Sequence, residues 1–275
     1  MDKHIQIQRA QRFRALHDRR RVLLLPNAWD AGSARIFADI GFDAVATTSA
    51  GVAWALGYPD GEGTPLDEVL AVVERIVRVT PLPVTVDFEA GYGDSPEAVA
   101  ANVRRLIETG AVGINLEDGV RHEYLRDIDD AARRVAAARQ AADEAGVPIV
   151  INARVDNWMV GGDDDEDTRV AEALRRARAY LEAGADCIYP IGVSNPELIG
   201  RLCAAIDAPV NVGVRPGLPD MAELGRLGVA RVSAATRLAT VAFSAACDAA
   251  KRMRAGGRFD GLDSSLAYGD IQRLF

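Results

Sequence analysis

One small phrase recurs along the chain and restricts its fold more than anything else. It appears as Ile40-Gly41-Phe42-Asp43-Ala44, Thr109-Gly110-Ala111-Val112-Gly113, Ala183-Gly184-Ala185-Asp186-Cys187 and Leu227-Gly228-Val229-Ala230-Arg231. Each copy puts glycine where a helical stretch stops and an apolar run begins. The runs that alternate with helical stretches are Val22–Ala28, Ala44–Ser49, Val84–Phe88, Gly113–Glu117, Ile149–Arg154, Cys187–Ile191, Val210–Val214 and Arg231–Ala235. They mostly lack in–out alternation, as parallel strands covered on both faces do. About eight βα units with no linker-like break predict a single domain over residues 1–275, of α/β class, folded as a (β/α)8 TIM barrel. A doubly wound open sheet is the alternative, but no G-x-G-x-x-G follows the first strand.

The stretches between the runs read as helices. Pro96 to Glu108 starts after Ser95, a good N-cap. Asp127 to Ala145 stops at Gly146. Thr168 to Ala183 follows the run Asp163-Asp164-Asp165-Glu166-Asp167, which suits a solvated helix start better than a metal site. His4 to Arg20 adds a basic helix before the barrel. Residues 255–275 form a Gly- and Ser-containing C-terminal extension, expected either to pack against a partner subunit or barrel end or to be loosely ordered.

Composition narrows the function. With 49% hydrophobic residues in 275, the core is ample. The formal net charge of −8 has the wrong sign for nucleic-acid binding. Cys187, Cys203 and Cys247 show neither zinc spacing nor a disulfide framework, which suggests a reducing cytoplasm. Residues 1–21 lack the apolar core of a signal peptide, and no apolar run is long enough for a membrane span.

A barrel of this kind builds its site at the C-terminal ends of its strands. There the chain offers Asn27, Trp29 and Asp30, then Thr48, Ser49, Ala50 and Gly51, Asp87 and Glu89, Glu117 and Asp118, Arg154 and Asp156, and Asn211 and Arg215. Asp87 and Glu89 are two apart, so on an ideal strand they share a face. With Glu117 they would repel strongly unless a cation joins them. Oxygen-only ligands favour Mg²⁺, with Mn²⁺ as the alternative. As bare residues, one or two of these acids equally suit helix caps or salt bridges. Arg154 suits a bidentate clamp on a substrate carboxylate, or a structural pair with Asp156 or Glu117.

Six phrases occur in order: Pro26-Asn27-Ala28-Trp29-Asp30, Thr48-Ser49-Ala50-Gly51-Val52-Ala53, Leu56-Gly57-Tyr58-Pro59-Asp60, Val86-Asp87-Phe88-Glu89-Ala90-Gly91-Tyr92-Gly93, Leu116-Glu117-Asp118 and Ala153-Arg154-Val155-Asp156. Together they resemble the isocitrate lyase/phosphoenolpyruvate mutase superfamily, over about Arg12 to Met253. The resemblance implies a barrel in homodimers or homotetramers with a C-terminal helix exchanged between subunits. It also implies Mg²⁺ and a small 2-oxo or 2-hydroxy carboxylate substrate. By matching motifs, Asp87 resembles the direct metal ligand, and Glu89, Glu117 and Asp60 resemble partners acting through metal-bound waters. Thr48, Ser49 and Ala50 resemble the carboxylate-binding turn, Arg154 the cationic clamp, and Trp29 an aromatic lining the pocket. Asn211 is a further candidate substrate contact.

Two departures matter. Glu89 stands where the family usually has Asp. The segment Glu117 to Asp127 is too short for the long K-K-C-G-H loop of family lyases or the K-T-N-S loop of mutases, and it holds no Cys. His122 and Tyr124 are its titratable replacements, with His122 the candidate acid/base. The expected activity is Mg²⁺-dependent C–C bond cleavage through a stabilised enolate. Phosphonopyruvate or phosphoenolpyruvate mutase or hydrolase chemistry, and oxaloacetate hydrolysis or decarboxylation, are the alternatives. A non-catalytic binder of 2-oxo acids is the remaining one.

Overall fold

The computed structural model describes residues 1–121, 123–160, 162, 164–256, 259, 262 and 265–275. In chain order the elements are α1 (Lys3–Ala15), β1 (Leu23–Leu25), β2 (Asn27–Ala28), α2 (Ala31–Ile40), β3 (Val45–Thr47), α3 (Ser49–Leu56), α4 (Leu66–Val79), β4 (Val84–Asp87), α5 (Pro96–Glu108) and β5 (Gly113–Glu117). They continue with β6 (Gly119–Val120), β7 (Tyr124–Leu125), α6 (Ile128–Ala145), β8 (Val150–Val155), α7 (Glu166–Glu182), β9 (Cys187–Pro190), α8 (Pro196–Ala205), β10 (Asn211–Gly213), α9 (Met221–Arg226), β11 (Arg231–Ser233), α10 (Arg237–Gly256) and α11 (Tyr268–Gln272).

The sheet closes on itself, which removes the open-sheet alternative. Six strands pair in the order β2-β3-β4-β5-β8-β9, and three in the order β1-β11-β10. A parallel bridge between Ile188 and Val210 joins β9 to the second set. At the other seam β1 runs into β2 with only Pro26 between them. The barrel pairings are parallel, so every strand delivers its C-terminal end to one rim. The eight runs read from the sequence are the eight staves.

Local chemistry accounts for the helix limits. Ser95 accepts from the Ala98 amide at the start of α5, and Pro96 occupies the first turn, where its missing N–H costs nothing. Gly41 and Gly110 take φ of 97° and 96°, which lets the chain leave a helix and re-enter the barrel. Asp165 caps α7 through the Thr168 amide at 2.7 Å, so that part of the acidic run is a helix start; Asp163 lies outside the described residues.

The core fills the barrel and the layer beneath the helices, with Leu25, Val86, Ile114, Ile151, Ile188 and Val232 nearly inaccessible. The N-terminal helix is tied down by buried Phe13 and by Gln6, whose amide donates to the Ile107 and Ala111 carbonyls. In contrast, α10 buries only Ala239 along its length. Among the described residues no helix is long and apolar enough to cross a membrane.

Candidate active site

Asp87 ends β4 and its carboxylate is held from both sides. Ser49 donates to Oδ2 through its hydroxyl at 3.0 Å and its amide at 3.3 Å, and Asn115 donates to Oδ1 at 3.2 Å. Asn115 Oδ1 in turn accepts from Asn152 at 2.8 Å and from the fully buried Arg231 at 3.2 Å. This chain of amides crosses the barrel interior and fixes the carboxylate before any ligand arrives. Thr48 caps α3, so the amides of Ser49 and Ala50 belong to a helix N-terminus that favours an anion.

A cavity of about 160 Å³ opens beside Asp87. Asp60, Asp87 and Arg154 line it, as do Thr48, Ser49 and Ala50. The expected carboxylate-binding turn, one expected metal ligand, one expected metal partner and the cationic clamp therefore share one chamber.

Glu117 and Arg154 are paired across β5 and β8, with Nη1 2.6 Å from the Glu117 carboxylate. Arg154 also donates to Asp156 Oδ1 through Nε at 3.1 Å and Nη2 at 2.5 Å. All three side chains are less than a tenth exposed. Burial works against the Arg154 charge, but Glu117, Asp156 and Asp87 outweigh it and keep the guanidinium protonated. Arg154 thus fills both structural pairings considered for it while still facing the cavity.

Glu89 departs from expectation. β4 ends at Asp87, and Glu89 follows in a left-handed conformation (φ 46°), so the two-residue rule for a strand does not apply. Its carboxylate accepts from the Glu62 amide and the Tyr92 hydroxyl. Glu89 and Glu117 line a second cavity, of about 290 Å³. Because Glu117 lines one chamber and Arg154 the other, their ion pair stands between the two. Burial pushes Glu89 up to about 7, with Asp87 and Asp60 adding to the rise against those two hydrogen bonds.

Other expected residues lie elsewhere. Trp29 does not line the first cavity; its indole packs on Phe37 and Phe243, with ring centroids 6.3 and 6.4 Å away. Asn211 is fully buried, donating to Ser233 Oγ at 3.3 Å, and it is Ser233 that reaches the cavity. Asp118 is a structural tie: it accepts from Tyr180 at 2.6 Å, from Arg176 at 3.0 Å and from the Asp156 amide at 2.8 Å. The short segment after β5 forms an antiparallel hairpin of β6 and β7, closed by the Arg126 amide on the Asp118 carbonyl. His122 lies outside the described residues. Asn115, Asn152 and Tyr189 escaped the sequence reading, since an Asn or Tyr inside an apolar run carries no motif.

Among the described residues no three Asp, Glu, His or Cys side chains lie close enough to hold an ion by themselves. The donors that do face the cavity are oxygens without thiol or imidazole, on a floor made rigid by Ser49 and Asn115. Such a set suits a hard cation that keeps most of its waters, as Mg²⁺ does.

Fold and site define a (β/α)8 barrel with carboxylates and one buried arginine at the strand C-terminal ends. The family model described as phosphoenolpyruvate phosphomutase matches residues 13–254. An uncharacterized protein of Mycobacterium tuberculosis is 36% identical over 94% of each chain. A 2-methylisocitrate lyase of Salmonella typhimurium is 32% identical over 73% of this chain and 68% of that one. The crystal structure of a candidate phosphonomutase from Burkholderia cenocepacia J2315 superposes with a TM-score of 0.85 at 46% identity, covering 89% of this chain and 99% of that one. The chain belongs to the phosphoenolpyruvate phosphomutase family, within the isocitrate lyase/phosphoenolpyruvate mutase superfamily, and is an enzyme of that group.

Proposed function

We propose that the protein is a Mg²⁺-dependent lyase that breaks a C–C bond in a small 2-oxo or 2-hydroxy carboxylic acid. The carrying observation is the 160 Å³ chamber in which Asp87 and Asp60 meet Arg154 and the N-terminus of α3. That volume suits a compact acid, and the second chamber offers room for the far end of a longer one.

In this reading Asp87 would hold the ion, with Asp60 in the same chamber and Glu89 and Glu117 in the adjoining one as its further carboxylates. When bound, the ion polarises the substrate carboxylate and the oxygen beside it. The Ser49 and Ala50 amides and the Arg154 guanidinium neutralise the carboxylate and fix its orientation. Glu117 and Asp156 keep Arg154 charged and aimed. Mn²⁺ would substitute at the same donors.

Oxaloacetate decarboxylation or hydrolysis is a second reading, favoured by one observation: among the described residues no cysteine lines the chamber. Purified protein is to be assayed with Mg²⁺ on isocitrate, methylisocitrate and oxaloacetate, with phosphorus NMR on phosphonopyruvate. Cleavage of a hydroxy acid supports the lyase, pyruvate or oxalate from oxaloacetate the second reading, and inertness towards every acid removes both.

The active form in this account is a homodimer or homotetramer in the cytoplasm. A second copy covers α10, whose Val241 is exposed and whose Phe243 is exposed against Trp54. Neither nucleic acid nor membrane is a partner.

A further inference from the structure

An enzyme of this kind needs a group that moves a proton, and the chamber contains one that the sequence reading passed over. Tyr189 lies on β9 directly beside Arg154 on β8, as its register partner. It is 4% exposed, and it lines the same chamber as Asp87 and Arg154. An occupant of this chamber that touches Arg154 therefore lies beside the phenol as well.

The neighbours of the phenol are arranged around its oxygen. Gly213, on the adjacent strand β10, has no side chain where the hydroxyl sits; a Cβ there would collide with Tyr189 Oη. The Ser233 hydroxyl, from β11, lines the same chamber, where it is a polar neighbour of the phenol and is held by Asn211. Two strands therefore accommodate a polar atom that a phenylalanine would lack.

Among the described residues, elimination leads to the same residue. Arg154 keeps its proton because three carboxylates surround it. Asp60 and Asp87 are assigned to the ion. The hydroxyls of Thr48, Ser49 and Ser233 are far weaker acids than a phenol. Cys187 and Cys203 are buried elsewhere and Cys247 is on the surface.

We propose that Tyr189 is the proton donor of the reaction, delivering its hydroxyl proton to the substrate carbon left with the electron pair when the C–C bond breaks. This inference rests on the function proposed above. The C–C pair becomes the enolate, the Tyr189 O–H bond breaks, and a C–H bond forms at that carbon. The tyrosinate left behind faces the Arg154 charge and the Ser233 hydroxyl. When a 2-hydroxy acid is cleaved, its hydroxyl proton passes to water as the C=O bond forms, and in either reaction the tyrosinate then recovers a proton from water. Burial holds the resting phenol up to about 12 despite Arg154, so it carries its proton at neutral pH.

The reverse half of this step is measurable without knowing the substrate. Pyruvate, the protonated product of a cleaved 2-oxo acid, and succinate, that of a cleaved isocitrate-type 2-hydroxy acid, are incubated separately with the full-length protein and Mg²⁺ in D₂O, and exchange of their methyl and methylene protons is followed by NMR. Oxalate binding is read separately as a thermal shift. The wild type exchanges, whereas Tyr189→Phe exchanges at least about 100-fold more slowly with its oxalate shift intact. Gly213→Ala, which displaces the hydroxyl, also slows exchange, but adds nothing in the Tyr189→Phe background. Exchange at the wild-type rate in Tyr189→Phe overturns the assignment, as does loss of its oxalate binding, which would make Tyr189 a binding residue. A wild type that binds these acids but exchanges neither overturns enolate chemistry at this site, a failure distinguishable from failure of Tyr189 alone.

Discussion

Replacing Arg154 with Met tests the electrostatics of the site. Arg154 is the shared partner of Glu117 and Asp156, 2.6 and 2.5 Å away, and all three are less than a tenth exposed. Met fills a similar volume but leaves two buried carboxylates without a countercharge. Removing one member of a buried ion pair costs ~3–5 kcal/mol. Burial already raises Glu117 against the pull of Arg154; without Arg154 it rises further, and taking up a proton lets it escape part of that cost. Such groups stabilise the fold when protonated, and that stability is lost as pH rises from the unfolded pKa towards the raised one. The slope is ~1.4 kcal/mol per pH unit for each proton. Urea titrations at pH 5 and pH 8 should therefore show a small deficit for Arg154→Met at pH 5, growing to ~3–5 kcal/mol at pH 8. Mg²⁺ should recover part of the deficit at pH 8, because the ion supplies positive charge to the same acids. A deficit below about 1 kcal/mol at both pH values would refute the reasoning, since that is the scale of an exposed pair.

Further expectations concern other parts of the molecule. His17 is pulled down to about 4 by burial and by the Arg231 charge. It should therefore cost stability as pH falls from about 6.5 to 4, up to ~3 kcal/mol, and thermal melts should show a flatter acid limb in His17→Gln. Asp118→Asn weakens the ties to Tyr180 and to Arg176, whose charge keeps Glu172 as a partner, so it should cost about 1–3 kcal/mol in urea while the stabilisation by Mg²⁺ persists. Phe243→Asp puts a charge on the exposed face of α10 and should shift the species seen by light scattering towards the monomer. Asp87→Ala should abolish both turnover and Mg²⁺-dependent thermal stabilisation; retained activity would remove the ion from the account.

The barrel was readable because its grammar is local. A buried parallel strand shows as a short apolar run and a helix end as a glycine, so Val84–Asp87 and Gly113–Glu117 could be found without knowing their neighbours. Site residues were readable only where the backbone alone aims them. Thr48 and Ser49 begin a helix, Asp87 closes a strand and Arg154 sits near the end of one, and all of them reach the first chamber. Glu89 failed this test because the chain turns left-handed there and points it at Glu62 and Tyr92. Asp118 looked like a member of the acid cluster until Arg176 and Tyr180, 58 and 62 residues further on, claimed it. Trp29 turned outward to Phe37 and Phe243, contacts set by how α2 and α10 pack. Tyr189 was missed for the opposite reason: its neighbours Gly213 and Ser233 come from two later strands, and their arrangement exists only once the barrel has closed.

The central claim is that one divalent ion sits on Asp87 beside Arg154. Anomalous diffraction from a crystal soaked in Mn²⁺ and oxalate addresses it directly. The account predicts a single peak about 2.1 Å from an Asp87 carboxylate oxygen, with waters leading to Asp60, Glu89 and Glu117 and the oxalate facing Arg154. An empty chamber, or a peak at some other cluster of acids, would contradict it.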